Sequence, residues 1–317
     1  MVLDISSIIA GLVVLFLGGE SLVKGSISIA RHLKISKILV SSVIVGFGTS
    51  MPEMTISIDA ILKNFPEIAI GNVIGSNIAN ILFIIGLSAI ISPFYLKDKF
   101  IKRDVLVMLI STLALCIFGI FGVLSFIEGF LMILLLISYI TYSYFEDKKH
   151  FSNKEIIDTQ HDLGFIKSLK LSSSFALCTI GIVLLISGSS LFLNGAIEIA
   201  NKFNISKEVI GLGIVALGSC LPELTTAIVA SYRKHGNIVI ASIVGSNIFN
   251  ILSIVGVMSL MQEITMPDNI LKFDLWVFLA STLALSFMLF RGVKFTRTVG
   301  FIFLTTYILY LYMLFSY

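Results

Sequence analysis

Two six-residue segments carry the groups best suited to chemistry: Gly48-Thr49-Ser50-Met51-Pro52-Glu53 and Gly218-Ser219-Cys220-Leu221-Pro222-Glu223. Each places a carboxylate one residue after a proline, inside a long apolar run. Proline has no N–H and crowds the carbonyl four residues back, so carbonyls near Gly48–Thr49 and Gly218–Ser219 are released from helical bonding. A carboxylate at mid-membrane costs about 2.5–3.5 kcal/mol and commonly marks an ion path. Freed carbonyls, hydroxyls and a carboxylate one turn apart make an all-oxygen donor set, which suits hard cations such as Ca²⁺ or Na⁺.

A second group of oxygens recurs at helical spacing. Asn72, Ser76 and Asn80 stand at i, i+4 and i+8 and share one helix face, as do Ser242, Ser246 and Asn250. Such residues also serve as interhelical hydrogen-bonding groups, and the Gly71/Gly75 pair is a helix-packing pattern. Beside two carboxylates, however, neutral amide and hydroxyl oxygens complete a cation cage. Other charges carry less. Glu20 and Lys24 are four apart and can pair, and Asp59 points away from Glu53 toward a helix end. His32, His150, His161 and His235 lie in or beside loops, and Cys116, Cys178 and Cys220 lie far apart, so neither a histidine or cysteine metal site nor a disulfide framework is expected.

The elements that position these groups must be membrane helices. Of 317 residues 57% are apolar and 13% charged, with a mean hydropathy of +1.02. Soluble proteins are about 45–50% apolar and about 25% charged; this composition leaves too little polar surface to coat a water-soluble core. A soluble enzyme, a secreted disulfide scaffold and a nucleic-acid binder are excluded. Ten apolar runs approach the roughly 20 residues a spanning helix needs: Ile5–Ala30, Ile38–Leu62, Ile68–Ile91, Val105–Val123, Ile127–Tyr144, Leu171–Ala200, Val209–Tyr232, Ile238–Met261, Leu275–Leu289 and Val299–Tyr317. The opening MVLDISSII has no basic region and reads as a retained span. With ten spans, 17 of the 22 Lys and Arg residues fall in loops on one side. The positive-inside rule makes that side cytoplasmic, places both ends of the chain outside, and makes residues 146–168 a cytoplasmic linker.

A shift of 170 residues aligns Gly11–Gly86 with Gly181–Gly256 without a gap, with more than a third of the positions identical. Pro52-Glu53 meets Pro222-Glu223, and Gly75-Ser76-Asn77-Ile78 meets Gly245-Ser246-Asn247-Ile248. Each unit holds five spans, so the second copy enters the membrane from the opposite side. The expected fold is thus an all-α integral membrane protein of ten transmembrane helices in two inverted five-helix repeats. Residues 1–145 form the first (core about 38–91) and 169–317 the second (core about 208–261). Secondary transporters are commonly built this way, with the site where the repeats meet near the midplane.

GTSMPE and GSCLPE, each followed by GSNIxN, resemble the α-repeats of the cation/Ca²⁺ exchanger superfamily, in particular the prokaryotic sodium/calcium exchangers. The resemblance implies an antiporter of the plasma membrane that lets Na⁺ run down its gradient as Ca²⁺ moves the opposite way. It implies no enzyme activity, no resident cofactor and no partner beyond the ions and the bilayer; a monomer is expected. It implies a core of spans 2, 3, 7 and 8, with spans 1 and 6 sliding across it and spans 4, 5, 9 and 10 in support. The implied ligands are Thr49, Ser50, Glu53, Ser76 and Asn80 from the first repeat, and Ser219, Cys220, Glu223, Ser246 and Asn250 from the second. The carbonyls of Gly46 and Ala216 would add to the sodium sites. Two departures stand out. Asn250 occupies a position where many members carry Asp, which argues against K⁺ coupling, and Ser219-Cys220 replaces the usual Thr-Ser. A proton-coupled exchanger on the same fold, a passive cation channel and an intramembrane hydrolase are the competing readings; the last lacks a nucleophile–base pair.

Overall fold

The computed structural model describes residues 2–96, 99–150, 169–203 and 216–316. These are almost entirely helical: α1 Val2–Leu33, α2 Lys37–Thr49, α3 Met51–Leu62, α4 Pro66–Ile91, α5 Lys99–Ile120, α6 Phe126–His150, α7 Leu171–Lys202, α8 Ala216–Ser219, α9 Leu221–Tyr232, α10 Gly236–Met261, α11 Ile270–Arg291 and α12 Arg297–Ser316. Eight of the described helices are long and apolar enough to cross a membrane, and the α2–α3 pair makes a ninth if counted as one span bent by 44°. The seventh expected span begins in residues 209–215, outside the described residues. Lys207, His161, most of the expected linker and the start of the second repeat core also lie outside the described residues.

The bend between α2 and α3 follows from Pro52, which sits in the first turn of α3 and leaves Ser50 outside both helices, at φ −81° and ψ 6°. The pattern recurs at Cys220, between α8 and α9, at φ −82° and ψ 3°. Helices α4 and α10 each contain a π turn, Ala79–Ile84 and Asn250–Val255. Such turns are rare and concentrate at functional sites.

Helices α1 and α7, of 32 residues each, are about 48 Å long at 1.5 Å per residue. That exceeds a hydrocarbon core of about 30 Å, so both must tilt to keep their apolar length in lipid. They pack along each other through glycines seven residues apart, which allow the backbones to approach. A Cβ on Gly18 would lie 2.8 Å from Leu185 N, and one on Gly188 would lie 2.7 Å from Leu15 N. These two contacts are related by the 170-residue offset.

The two halves are joined on their flanks as well. Val123–Leu124 (β1) pairs antiparallel with Ile264–Thr265 (β2). Phe94 and Phe295 exchange backbone hydrogen bonds of 3.1 and 2.9 Å, with their rings stacked 5.0 Å apart. The main core lies among α3, α4, α9 and α10. On α5, α6, α11 and α12 large apolar side chains such as Ile117, Phe130, Trp276 and Phe301 are exposed, as lipid-facing helices require.

The helices of the flanking bundle outrun their expected spans. α6 continues through Glu146 and Asp147 to His150, where the linker was expected, and α5 starts at Lys99 instead of Val105. The cause is a buried ion network. Arg103 holds Asp104 and Asp147 at 2.8 Å and Glu146 at 3.2 Å. Asp147 also accepts from the backbone N–H of Ser36 at 3.1 Å and from the Ser36 hydroxyl, and Ser36 caps α2 through Leu39 N. These charges lengthen both helices because each finds its counter-charge within the protein.

Candidate ion-binding site

The breaks after α2 and after α8 turn two hydroxyl-rich segments and two glutamates into the centre of the protein, against the π turns of α4 and α10. Glu53 is 1% exposed and Glu223 3%. Among the described residues neither pairs with a Lys, Arg or His, and the Oε2 atom of each has no hydrogen-bond partner. The halves are interleaved. The Ser50 hydroxyl donates to Glu223 Oε1 at 3.2 Å, with Thr49 also beside Glu223, while Glu53 meets Ser219 and Cys220. Each carboxylate thus faces the hydroxyl-bearing segment of the other half.

Most of the remaining expected ligands are buried as well. Thr49 Oγ1 and Ser246 Oγ lie 3.3 Å apart, and Ser246 Oγ donates to Gly46 O at 3.1 Å. Gly46 O also accepts from Thr49 Oγ1, at 3.3 Å. Ser76 is buried and donates to Asn72 O at 2.7 Å. Asn80 lies in the π turn of α4 and Asn250 opens that of α10, and the Oδ1 of each is buried without a partner. Cys220 is buried with its Sγ 3.9 Å from Ser219 Oγ. Ala216 opens α8, next to residues outside the described set.

Some polar groups support this arrangement from behind. Asn72 donates to Glu53 O at 3.2 Å and to Ser57 Oγ at 3.0 Å, so the stripe residue farthest from the π turn braces the α3 backbone. The proline-released carbonyl of Gly218 accepts from Ser189 Oγ of α7 at 2.9 Å. Asn77 and Asn247, which lie in the duplicated GSN motif, bond across the centre to Asn250 and Asn80. Both repeat exactly at the 170-residue offset, the one sequence signal that could have singled them out. Elsewhere, Glu20 pairs with Lys24 at 2.8 Å and with Arg233, and Asp59 pairs with Lys63 at 2.7 Å on an exposed helix end.

Two carboxylates buried without cationic partners form a site that requires positive charge from outside the protein, because isolated buried charge is costly. Carboxylate, hydroxyl and amide oxygens suit hard cations. The family model described as sodium/calcium exchanger protein matches residues 4–145 and again 173–316. This chain belongs to the sodium/calcium exchanger family. The exchanger is 32% identical to the putative antiporter CaxA of Alkalimonas amylolytica over 98% of both chains. It is 31% identical to the sodium/calcium exchanger MaX1 of Methanosarcina acetivorans over 97% of both. Its fold is similar to the solved sodium-calcium exchanger NCX_Mj, with a TM-score of 0.84 at 32% identity over 99% of both chains. Membership establishes a multi-pass membrane transporter.

Proposed function

We propose that this chain exchanges Na⁺ for Ca²⁺ by alternating access, with both ions competing for one site near the membrane midplane built on Glu53 and Glu223. The observation that carries this reading is the pair of buried carboxylates, contributed by the two halves, each with an unpartnered oxygen. Their combined charge of −2 is neutralised by one Ca²⁺ or by two Na⁺. A third Na⁺ would leave one net positive charge to be held by dipoles alone, at a high electrostatic cost in a low-dielectric site. Competition between the ions follows from that balance. Thr49, Ser50, Ser76, Asn80, Ser219, Cys220, Ser246 and Asn250 complete the donor set, with the carbonyls of Gly46 and Ala216.

In this reading ten membrane helices form two inverted repeats, residues 1–145 and 169–317, joined by a cytoplasmic linker. Both ends of the chain lie outside the plasma membrane. Helices α1 and α7, bound tightly to each other, move as one body across the core to expose the site to either side. The chain acts as a monomer without a resident cofactor.

The test is ⁴⁵Ca²⁺ uptake into proteoliposomes loaded with Na⁺, beside vesicles loaded with K⁺ and vesicles carrying only a pH gradient. Uptake is expected to require internal Na⁺ and to vanish in Glu53→Gln and in Glu223→Gln. Uptake driven by the pH gradient alone would replace Na⁺ by H⁺ as the coupling ion. Near-normal flux in either glutamine variant would overturn the site.

A further inference from the structure

Asn80 and Asn250 can coordinate a cation only through Oδ1; turned over, each would present an NH₂ group with the wrong sign. We infer that Asn77 and Asn247 are positioning residues that hold these two amides with their oxygens toward the ions. The inference rests on the site proposed above.

For Asn80 the geometry fixes the orientation step by step. Asn247 Nδ2 donates to the backbone carbonyl of Asn77 at 3.4 Å. A carbonyl can only accept, so the NH₂ end of Asn247 must lie there and its Oδ1 must face the other way. That Oδ1 accepts from Asn80 Nδ2 at 2.9 Å. The donor end of Asn80 is thereby occupied and its Oδ1 is left without a protein partner. On the other half, Asn250 Nδ2 donates to Asn77 Oδ1 at 3.3 Å, and Asn250 Oδ1 is the unpartnered end. All four amides are buried to 1% exposure or less, so water does not compete for them.

The two halves differ in how firmly the last amide is held. Asn247 is anchored by a backbone carbonyl, whereas Asn77 Nδ2 has no partner. Asn77 can therefore turn over, and a donor would then face residue 250. A carboxylate at 250 would accept that donor and, having two equivalent oxygens, needs no orienting acceptor. Asn77 thus controls which end of Asn250 reaches the ions and has little to control once residue 250 is an acid.

The test is a double-mutant cycle on the full-length protein, read as ⁴⁵Ca²⁺ equilibrium binding, with melting temperature recorded for each variant. Removing a group that orients a metal ligand costs about 10–100-fold in affinity. Asn77→Leu is expected to weaken Ca²⁺ binding about tenfold in the parent chain but less than about threefold in the Asn250→Asp background. Asn247→Leu acts through Asn80, so its tenfold loss should persist in both backgrounds. An equal loss for Asn77→Leu in the two backgrounds would assign Asn77 to packing and overturn the inference, as would no loss in the parent. If Asn77→Leu does not fold, Asn77→Asp reads the same point. It keeps an acceptor before Asn250 Nδ2 and should bind Ca²⁺ at least as tightly as the parent; a tenfold loss would overturn the inference. Glu53→Gln separates the two levels: Ca²⁺ binding unaffected by it removes the site itself, whereas binding lost there with Asn77→Leu silent removes only the positioning role.

Discussion

At the scale of single residues, the two halves of the site match at Glu53/Glu223, Ser76/Ser246 and Asn80/Asn250 and differ at Gly46/Ala216, Thr49/Ser219 and Ser50/Cys220, and the last difference predicts a measurable effect. Ser50 donates a hydroxyl hydrogen bond to Glu223 at 3.2 Å. Its counterpart is Cys220, whose thiol is a weaker donor and a softer ligand than a hydroxyl. Cys220→Ser would restore the hydroxyl. It is expected to lower the internal Na⁺ concentration for half-maximal ⁴⁵Ca²⁺ uptake by about fivefold, the worth of roughly one neutral hydrogen bond. An unchanged Na⁺ dependence would remove Cys220 from the Na⁺ ligands. The duplicated glutamates, hydroxyls and asparagines could all be picked out from spacing and repetition. The partners of the asparagine amides could not, because an amide's orientation depends on groups 170 residues away in the chain.

At the scale of elements, the α1–α7 contact and the Arg103 network hold helices together by different means. The α1–α7 contact depends on backbone approach at Gly18 and Gly188. Either residue replaced by Val would force the helices apart, at a cost of about 1–3 kcal/mol of overpacking. Gly18→Val and Gly188→Val should therefore lower the melting temperature in detergent and reduce uptake together; a variant with unchanged melting would show that the helices are not held there. Arg103 is the only cation paired with Asp104 and Asp147 among the described ion pairs. Arg103→Leu would leave both carboxylates buried without compensation and is expected to destabilise the fold by about 3–5 kcal/mol, seen as a fall in melting temperature. Arg103→Lys should recover part of it, since the charge returns without the separate nitrogens that reach Asp104 and Asp147 together.

At the scale of the whole molecule, the repeat is broken by where the long helices lie. α1 packs along α9, with Glu20 reaching Arg233 and Gly19 placed so that a Cβ would lie 3.2 Å from Val229 Cγ2. α7 has no comparable packing against α3, which is the counterpart pair. The conformation is therefore asymmetric, with one side of the core covered by α1. Under alternating access this cover must come away in each cycle. A disulfide between Gly19→Cys and Val229→Cys should arrest exchange, and reduction with dithiothreitol should restore it. Full activity of the oxidised protein, with crosslinking confirmed by mass shift, would show that α1 does not need to leave α9.

The sequence alone determined the all-helical, apolar character of the chain, the internal repeat and the duplicated Pro-Glu motifs. These are local or self-referential signals: hydropathy over about 20 residues, proline's missing N–H, and identity at a fixed offset. Tertiary structure decided the rest. That Glu53 meets Ser219 and Cys220 while Glu223 meets Ser50 depends on how the halves interleave, which no spacing encodes. α5 and α6 extend past their apolar runs because Arg103 finds Asp147 across 44 residues, so charges that read as loop became buried helix. The asymmetric placement of α1 was beyond any reading of the repeat: the motifs shared by the two halves favour neither side, and only packing of the complete chain selects one.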